Sequence, residues 1–346
     1  MRRHFVCRRF REHSWLYRGV LSRWIRLPLH RRLDYIDFMI FRSILLLATL
    51  LSLFTLGCDE TNSELPILPK EELDAFELSF GSEENFDFIT WNIETFPKHS
   101  QSVEYAAKSL RGLRPDVVAI QEVWSISALD ELTAQLEGYQ SYAPADVEDT
   151  GLAWLVNTAT TELLESPSQI FTDDNYDFSY RSPLVLKVRF GELEMVLINL
   201  HLKCCGDGIL GADYWDEERR RLNAGQALKD YIEQYLDDKA VIVAGDWNDT
   251  IDDPEATNVF WPLLQDTAHF LFTDKSIAIG DESRWSFPYY PSHIDHILIT
   301  DELFEAFEKT GSFTQTLLIE DALPGGLDEY WTYLSDHRPL GLSLVQ

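Results

Sequence analysis

The sequence predicts an α/β fold in which two β-sheets pack against each other and helices flank them. Segments rich in β-branched residues alternate with amphipathic segments of helical period along residues 85–346. The predicted strands form two strand-rich halves with helices between them. A composition that is 45% hydrophobic and 13% aromatic supplies enough apolar side chains for a packed core.

The first half of this body is predicted to alternate strands and helices. Pro115 ends the first helix because proline lacks a backbone N–H and clashes with the preceding turn. Gly138 closes the second helix. The predicted elements are a strand at Phe86–Glu94, a helix at Val103–Arg114, a strand at Asp116–Val123, a helix at Ile126–Leu136 and a strand at Gly151–Asn157.

The second half is predicted to be richer in strands. Gly191 lies between two apolar runs, which predicts a hairpin. The apolar run Val241–Ala244 leads directly into Gly245, which predicts a short buried strand. The predicted elements are strands at Leu184–Phe190 and Glu192–Leu202, a long charged helix at Tyr214–Leu236, and strands at Ala240–Ala244, Ile294–Thr300, Ser312–Glu320 and Leu340–Val345.

The charge is strongly negative and unevenly distributed. Of the 29 basic and 58 acidic side chains, eleven basic and three acidic ones lie in residues 1–57, so residues 58–346 carry a net charge of −37. A body this acidic repels nucleic acid at long range. Any binding to DNA or RNA would therefore need a local basic patch or bound divalent cations.

The segment from Met39 to Cys58 has the pattern of an export signal. Arg42 precedes an uncharged, Leu-rich run that ends in Gly57-Cys58. The run is short for a membrane-spanning helix, which needs about 20 apolar residues, and it fits a secretory signal. Its end resembles a bacterial lipoprotein signal, in which Cys58 becomes the lipidated first residue. We expect residues 39–57 to be the signal peptide; an uncleaved N-terminal anchor is the alternative.

This signal predicts a location and divides the N-terminal region. We expect the protein to be exported and to be attached through lipidated Cys58 to a bacterial membrane, at the periplasmic face or the cell surface. Residues 1–38 are Arg-rich and precede a signal that is already complete. We expect translation to start at Met39 instead. Residues 58–84 are acidic, contain Pro66 and Pro69, and predict a tether before the domain at 85–346.

Polar residues lie at one end of six of the predicted strands. For the last strand, they come just before it begins. Any one of these groups, taken alone, could instead be an Asx turn after a strand or a histidine with a structural role. Six in one chain favour a common site. The residues are Asn92 and Glu94, Glu122, His201, Asp246 and Asn248, Asp295, and Asp336 and His337.

These side chains suit hydrolysis assisted by a metal ion. Carboxylates with an amide are ligands for a hard cation such as Mg²⁺. The four cysteines, Cys7, Cys58, Cys204 and Cys205, do not form a zinc pattern, and the chain lacks a Gly-Lys-Ser/Thr phosphate loop. Histidines beside a hard metal, without a motif for a covalent nucleophile, indicate attack by activated water.

The motifs, taken in order, resemble the endonuclease/exonuclease/phosphatase superfamily, which has the deoxyribonuclease-I-like fold. They are Trp-Asn-x-Glu, Gln-Glu-Val, Asn-Leu-His, Gly-Asp-x-Asn, Ile-Asp-His-Ile and Ser-Asp-His-Arg-Pro. The resemblance covers Phe86 to Gln346. It implies a four-layered α/β/β/α sandwich with two mainly antiparallel central sheets and an active site at one edge of the sandwich.

The resemblance also implies a metal site. Glu122 is similar to the main Mg²⁺ ligand of the family, with Asn92 and Glu94 beside it. Asp336 is similar to the residue that contributes to the metal site directly or through water. The implied cofactor is Mg²⁺, with Mn²⁺ as an alternative.

The implied catalytic roles fall on the remaining motifs. His337 resembles the histidine that contacts the scissile phosphate or acts as the base, and Asp295 would fix its tautomer. Asp246 resembles the residue that orients or deprotonates water or protonates the leaving oxygen. Asn248 would hold a phosphate oxygen, and His201 resembles the candidate acid for the leaving group.

Three further features remain open. Arg181 is a candidate phosphate contact, with an exposed loop arginine as the alternative. Cys204-Cys205 predict a strained vicinal disulfide in an oxidising compartment, with two thiols as the alternative. The loop Gly206–Trp215 and the aromatic segment Phe270–Pro291 are candidates for lining the substrate groove, with loop packing as the alternative. The candidate aromatic residues of the segment Phe270–Pro291 are Trp285, Phe287, Tyr289 and Tyr290.

The predicted function is Mg²⁺-dependent phosphodiester hydrolysis. The first substrate class is nucleic acid, cleaved by an exported endonuclease or exonuclease. The alternative is a phosphatase or phosphodiesterase of inositol phosphates or sphingomyelin-like lipid head groups, which the acidic body favours. The third alternative is a binding module whose site has no catalytic activity. The predicted partners are the substrate and the membrane, through the lipid anchor; the sequence predicts no protein partner.

Overall fold

The computed structural model describes residues 74–346, which form two six-stranded sheets with helices on their outer faces. The strands are β1 (Phe86–Phe96), β2 (Val117–Val123), β3 (Tyr139–Tyr142), β4 (Ala153–Asn157), β5 (Thr161–Gln169), β6 (Leu184–Phe190), β7 (Leu193–His201), β8 (Ala240–Asp246), β9 (Phe270–Phe272), β10 (Asp295–Thr300), β11 (Phe313–Thr316) and β12 (Leu340–Leu344). The α-helices are α1 (Ser102–Leu113), α2 (Ile126–Ala134), α3 (Val147–Thr150), α4 (Glu217–Tyr235), α5 (Trp261–Leu264), α6 (Lys275–Ala278), α7 (Phe304–Glu308) and α8 (Gly326–Tyr333).

The two sheets have the same internal arrangement. The first has the order β11-β12-β1-β2-β4-β3 and the second β5-β6-β7-β8-β10-β9. In each sheet the central pair is parallel, β1 with β2 in the first and β7 with β8 in the second. All remaining pairs of neighbouring strands are antiparallel. Because parallel strands end at the same edge of a sheet, the C-terminal ends of each central pair meet. This confirms the predicted pair of mainly antiparallel sheets.

Hydrophobic alternation along the strands builds the layers of the sandwich. In β1, Phe86 and Phe88 point into the core between the sheets, while Ile89, Trp91 and Ile93 point to the outer face. Side chains of α1, α2 and α8 complete that outer core. Side chains of α4 cover the outer face of the second sheet. The residues that a strand period of two predicts therefore fill three apolar layers, which stabilise the four-layered sandwich.

A buried polar contact joins the two sheets. Asn199 in β7 donates from Nδ2 to the carbonyl oxygens of Ile120 (2.9 Å) and Ala153 (3.0 Å) in the first sheet. Gln121 in β2 donates from Nε2 to Asn199 Oδ1 at 2.8 Å. Because these amide groups are buried, their hydrogen bonds favour the register in which the two sheets meet here, although Gln121 Oε1 has no hydrogen-bond partner among the described residues. Gln121 therefore serves the sheet contact, whereas its neighbour Glu122 reaches the edge.

Several predicted boundaries are corrected by the structure. The predicted strand Ser312–Glu320 forms only over Phe313–Thr316 and is followed by a 3₁₀ turn at Ile319–Ala322. The tether predicted for residues 58–84 is too long at its C-terminal end, because Phe80 is buried and Phe76 and Leu78 pack against the outer core. The Phe76 N–H also donates to the carbonyl oxygen of Lys108 at 3.2 Å.

The predicted extension 1–38, the signal 39–57 and the lipidation site Cys58 lie outside the described residues. Within residues 74–346, no helix is long and apolar enough to cross a membrane.

Substitution of Gly245 tests how closely the central strands of the second sheet approach. Gly245 has φ +152°, and a Cβ atom there would lie 1.9 Å from the backbone oxygen of Leu200. We expect Gly245→Ala to lower the free energy of unfolding by about 3 kcal/mol, measured by urea denaturation. The matched control is Gly225→Ala in α4, where the nearest atom to a new Cβ is 3.6 Å away. That change should raise stability by up to about 1 kcal/mol. Equal stability of Gly245→Ala and the wild type would contradict this packing.

Candidate active site

All six motifs of the sequence meet at one edge of the sandwich. Glu122 and His201 lie near the ends of β2 and β7, and Asp246 ends β8. Register places His201 opposite Asp246, and Asp246 opposite Asp295 at the start of β10. Asn92 in β1 donates from Nδ2 to Asp246 Oδ2 at 2.9 Å. The first and second sheets therefore contribute side chains to one site.

The buried carboxylate of Asp246 is at the centre of this site. It is 2% exposed. Its Oδ2 atom accepts from Asn92 and lies 3.4 Å from His201 Nε2 and 3.9 Å from His337 Nε2. Its Oδ1 atom accepts from the Asn248 N–H at 2.9 Å. Burial raises the pKa of Asp246 to about 7 against the opposing charge of His337, and neighbouring carboxylates act in the same direction as burial.

His337 is a cationic group that faces Asp246. Its Nδ1 atom donates to Asp295 Oδ2 at 2.8 Å, and its Nε2 atom lies 3.9 Å from Asp336 Oδ1. Burial lowers its pKa, but the carboxylates of Asp295, Asp246 and Asp336 outweigh burial and raise the pKa to about 10. At neutral pH, His337 is therefore an imidazolium. The second oxygen of Asp295, Oδ1, is buried and has no hydrogen-bond partner among the described residues.

The second histidine has the opposite protonation. His201 is buried, and its pKa is well below the ordinary value because of burial, with Arg181 and His337 adding positive charge nearby. It is therefore a neutral imidazole at neutral pH. The two histidines thus differ in charge although both face Asp246.

The residues predicted to bind metal lie close to one another. Glu122 accepts hydrogen bonds from Asn92 Nδ2 (3.2 Å) and from the Thr95 N–H (2.8 Å). Asn92 Oδ1 accepts from the Glu94 N–H at 3.0 Å, and Glu94 pairs with Lys98. Burial raises the pKa of Asp336 to about 6, with Glu94 and Glu122 adding negative charge. This crowding of hard oxygen donors fits a divalent cation.

Two groups of potential metal ligands lie close together, but they are not the residues predicted to bind the metal ion. In the described part of the chain, three acidic or histidine ligand atoms come within 4.8 Å of one another in two places, Asp246–Asp295–His337 and Asp274–His293–His296. Glu94, Glu122 and Asp336 do not form a third such cluster among those residues, and Glu94 pairs with Lys98. The expected role of Glu94 as a metal ligand stays a prediction.

Arg181 and Asn248 are held by the backbone that follows β7. Arg181 donates to the carbonyl oxygens of His201 (2.9 Å) and Leu202 (2.7 Å). Asn248, with φ 57°, donates from Nδ2 to the same Leu202 oxygen at 3.1 Å. Arg181 is therefore a fixed part of the site, and the alternative of an exposed loop arginine is wrong. The Leu202 carbonyl couples both side chains to the loop after His201.

A cleft of about 500 Å³ opens over these groups. Of the predicted aromatic residues, Phe287 lines it, with its ring 4.7 Å from that of His337. Trp285 instead donates to the Ile277 carbonyl oxygen, and Tyr289 packs on Trp331 at 4.2 Å. Of the predicted loop Gly206–Trp215, Gly206 and Gly208 line the cleft. The other lining residues outside the predicted set are Cys204, Cys205, Glu218, Arg221, Asp249, Thr250, Ser292 and Ile294.

Glu218 and Arg221 were not predicted from the sequence. They belong to the charged helix α4, yet both are 2% exposed. Arg221 contacts Asp249 Oδ2 at 2.9 Å and donates to the carbonyl oxygens of Lys203 (2.6 Å) and Cys205 (2.8 Å). The run of three arginines at 219–221 has the pattern of a solvated helix face, so the sequence contains no signal for this burial.

The predicted disulfide is absent from the loop that Arg221 holds. The sulfur atoms of Cys204 and Cys205 lie 3.0 Å apart, with Cys205 donating a hydrogen bond to Cys204. A covalent S–S bond is about 2.05 Å long. The prediction of a disulfide that stiffens the loop is therefore wrong for this state of the protein.

Comparison with known proteins identifies the family. The model described as "Endonuclease/Exonuclease/phosphatase family" matches residues 89–337, and the chain belongs to this family. Members of the family are hydrolases that act on phosphoester bonds. Among curated proteins, none matches the sequence at a significant level.

Solved structures confirm the fold. D. rerio TDP2 complexed with single strand DNA product is 18% identical, with 76% of this chain and 100% of that chain covered and a TM-score of 0.56. The endonuclease/exonuclease/phosphatase from Bacteroides vulgatus is 16% identical, covering 75% and 98%, with a TM-score of 0.52. The human Nocturnin catalytic domain with bound sulfate anion is 17% identical, covering 75% and 93%, with a TM-score of 0.51.

The second ligand cluster is a buried ion pair beneath the site. Asp274 Oδ2 lies 2.6 Å from His296 Nδ1 and 3.0 Å from His293 Nε2. His296 Nε2 lies 2.9 Å from the Asp249 carbonyl oxygen. Both partners of His296 are acceptors, so both of its ring nitrogens donate only when it is an imidazolium. Burial lowers the pKa of His296, but Asp274 outweighs burial and raises it.

The pH dependence of stability tests this ion pair. We expect His296→Phe to lower the free energy of unfolding by about 3 kcal/mol at pH 6, because it leaves Asp274 without its main cation. Since the folded pKa of His296 is raised, its contribution is complete below the unfolded value of about 6.5 and is lost as the pH rises through the folded value. Urea denaturation should therefore show a difference from wild type that shrinks at alkaline pH.

The matched control is His269→Phe, since His269 forms an exposed ion pair with Asp266 at 2.8 Å. That substitution should have little effect on stability. A difference between His296→Phe and wild type that stays constant from pH 6 to strongly alkaline pH would rule out a charged His296.

Proposed function

We propose that this protein is a phosphodiesterase that depends on a divalent metal and cleaves nucleic acid strands with an activated water molecule. The observation that carries the proposal is the convergence of Asn92, His201 and His337 on one buried oxygen of Asp246, beside the carboxylates of Glu122 and Asp336. A general base, a cation and a group of oxygen donors for a metal ion are suited to phosphoester hydrolysis by water.

Glu122 and Asp336 would hold the Mg²⁺ or Mn²⁺ ion, and the second lone pair of Asn92 Oδ1 remains available to it. When bound, the cation supplies Lewis-acid stabilisation of phosphate charge. Glu94 would act indirectly, since its backbone N–H orients the Asn92 oxygen. The donors are all oxygen, which favours Mg²⁺ or Mn²⁺ over a soft metal.

The protonation states suggest how the chain's own residues divide the work. Asp246, whose pKa is about 7, is suited to orient water and take its proton near neutral pH. His337, as an imidazolium held by Asp295, would stabilise the charge of the scissile phosphate rather than act as the base. His201, as a neutral imidazole, would donate a hydrogen bond to the leaving oxygen.

Two further donors would position the phosphate. Arg181 and Asn248 both donate to the Leu202 carbonyl oxygen, which fixes them at the cleft beside His201. Their remaining donors are available to phosphate oxygens.

The substrate class rests on separate observations. D. rerio TDP2 has been solved with a single-stranded DNA product, which supports nucleic acid for a protein of the same fold. The net charge of −37 on residues 58–346 instead favours a smaller phosphoester, such as an inositol phosphate or a sphingomyelin-like head group, because a polyanion is repelled. We place nucleic acid first and keep the small or lipid phosphoester as the second candidate.

We further propose that the enzyme works outside the cytoplasm, anchored to a bacterial membrane through lipidated Cys58. The support is the Arg42 and Leu-rich pattern that ends in Gly57-Cys58.

Nicking of supercoiled plasmid by the full chain tests the function. In Mg²⁺ or Mn²⁺ we expect nicking that chelation abolishes and that Glu122→Gln lowers by more than about 100-fold, because it removes a metal charge partner while keeping the shape. The matched control is Glu131→Gln, an exposed carboxylate on α2, which should nick as the wild type does.

Equal nicking by Glu122→Gln and Glu131→Gln would contradict the proposed metal site. Absence of nicking by wild type, together with metal-dependent hydrolysis of inositol phosphates or lipid head groups, would favour the second substrate class. A steep increase of KM with salt would favour nucleic acid, because binding to a phosphate backbone releases counterions.

A further inference from the structure

The loop directly after β7 places two thiols in the substrate cleft. Cys204 and Cys205 follow His201 by three and four residues, are exposed, and line the cleft together with Gly206. Their sulfur atoms are 3.0 Å apart, and Cys205 Sγ donates to Cys204 Sγ. The proposed hydrolysis uses neither thiol.

The surroundings of Cys204 favour its thiolate. The hydrogen bond from Cys205 lowers the pKa of the Cys204 thiol to about 6, with help from the positive charges of Lys203, Arg181 and Arg221, and these effects outweigh burial. A thiolate is the reactive form of cysteine in exchange with disulfides. The loop therefore presents a nucleophile with a second sulfur already in contact with it.

Buried residues fix the backbone around this pair. Arg221 donates from Nη1 to the carbonyl oxygens of Lys203 and Cys205, on either side of the Cys204 carbonyl. Cys205 and Gly206 have φ values of 71° and 111°, in the left-handed region. A Cβ atom on Gly206 would lie 2.2 Å from Glu218 Oε1. The contact between the two sulfurs therefore depends on helix α4 rather than on a flexible loop.

We propose that Cys204 and Cys205 are a reversible dithiol–disulfide pair that controls phosphate binding in the cleft. The oxidant is a low-molecular-weight disulfide. The Cys204 thiolate attacks one of its sulfurs, forms a mixed disulfide and releases one small thiolate. Cys205, after losing its proton, attacks Cys204 Sγ and releases the second. Two protein thiols and one small disulfide thus become one protein disulfide and two small thiols.

The geometry makes the disulfide labile. Consecutive Cα atoms are about 3.8 Å apart across a trans peptide bond, whereas Cα atoms joined by a disulfide are usually at least about 4.4 Å apart. A bond between neighbouring cysteines is therefore strained. Strained, exposed disulfides are easily reduced and serve regulation rather than structural support.

Formation of the Cys204–Cys205 disulfide would affect the phosphate-binding groups through one backbone carbonyl, that of Leu202. Bringing the sulfurs from 3.0 Å to about 2.05 Å moves both side chains and strains the peptide between Cys204 and Cys205. Arg221 holds the carbonyl groups of Lys203 and Cys205 on either side of that peptide, so the strain is passed to the neighbouring backbone. Leu202, one residue before Lys203, anchors both Arg181 and Asn248. We therefore expect oxidation to weaken substrate binding.

The test uses the full chain with Cys7→Ser and Cys58→Ser, so that Cys204 and Cys205 are the remaining cysteines of the four. The protein is equilibrated in buffers of oxidised and reduced glutathione. Thiol titration and intact mass measure the pairing, and peptide mapping locates it. Nicking of supercoiled plasmid in Mg²⁺, followed over a range of plasmid concentrations, measures its effect on hydrolysis. We expect loss of both thiols without retained glutathione, about a tenfold fall in kcat/KM carried mainly by KM, and recovery with dithiothreitol.

Single substitutions provide the controls. Cys205→Ser should retain glutathione on Cys204 as a stable mixed disulfide, and Cys204→Ser should react much more slowly. Because Cys204→Ser cannot form the internal bond, its kcat/KM should be the same in oxidised and reduced glutathione, each rate being compared with that of its own reduced form.

Two results would overturn the proposal. One is glutathione that stays on wild-type Cys204, which excludes an internal bond. The other is a complete internal disulfide with kcat/KM within twofold of the reduced enzyme. The effect on hydrolysis rests on the proposed function, but the mass and titration measurements do not. Failure of the thiols to pair is therefore distinguishable from failure of the phosphodiesterase proposal.

Discussion

The site depends on one buried oxygen shared between the two sheets. Asp246 Oδ2 belongs to the second sheet and accepts a hydrogen bond from Asn92 of the first. A carboxylate in this position is costly to ionise, and its pKa of about 7 expresses that cost. The cost is tolerated because His337 supplies a nearby cation, which Asp295 in turn orients. A change in the packing of the sheets would therefore alter the chemistry as well as the stability.

A second layer of buried charge fixes the loops that carry these groups. The Asp274–His296 pair holds the carbonyl of Asp249, and Arg221 holds the Asp249 carboxylate. The same guanidinium binds the backbone on either side of Cys204. Buried ion pairs contribute little net stability, yet breaking one is expensive. Their consequence here is that the loops after β7 and β8 have one defined arrangement at the cleft.

Much of this arrangement follows from local sequence patterns, because strand periodicity decides which side chains face each layer. The polar residues at strand ends were predictable for the same reason: ends of neighbouring strands meet at an edge. The mixed polarity of β5 and the three-residue length of β9 left no periodic signal. The burial of Arg221 depends on contacts between distant segments. The pairing of Glu94 with Lys98 depends on a left-handed turn. Residue type alone indicates neither.

The carboxylates at this edge should form one divalent-cation site. Calorimetric titration of the full chain with Mn²⁺, without substrate, tests it most directly. We expect saturable binding that Glu122→Gln weakens by at least about tenfold and that Glu131→Gln leaves unchanged. Binding of equal strength in all three proteins, or no binding to the wild type, would contradict it.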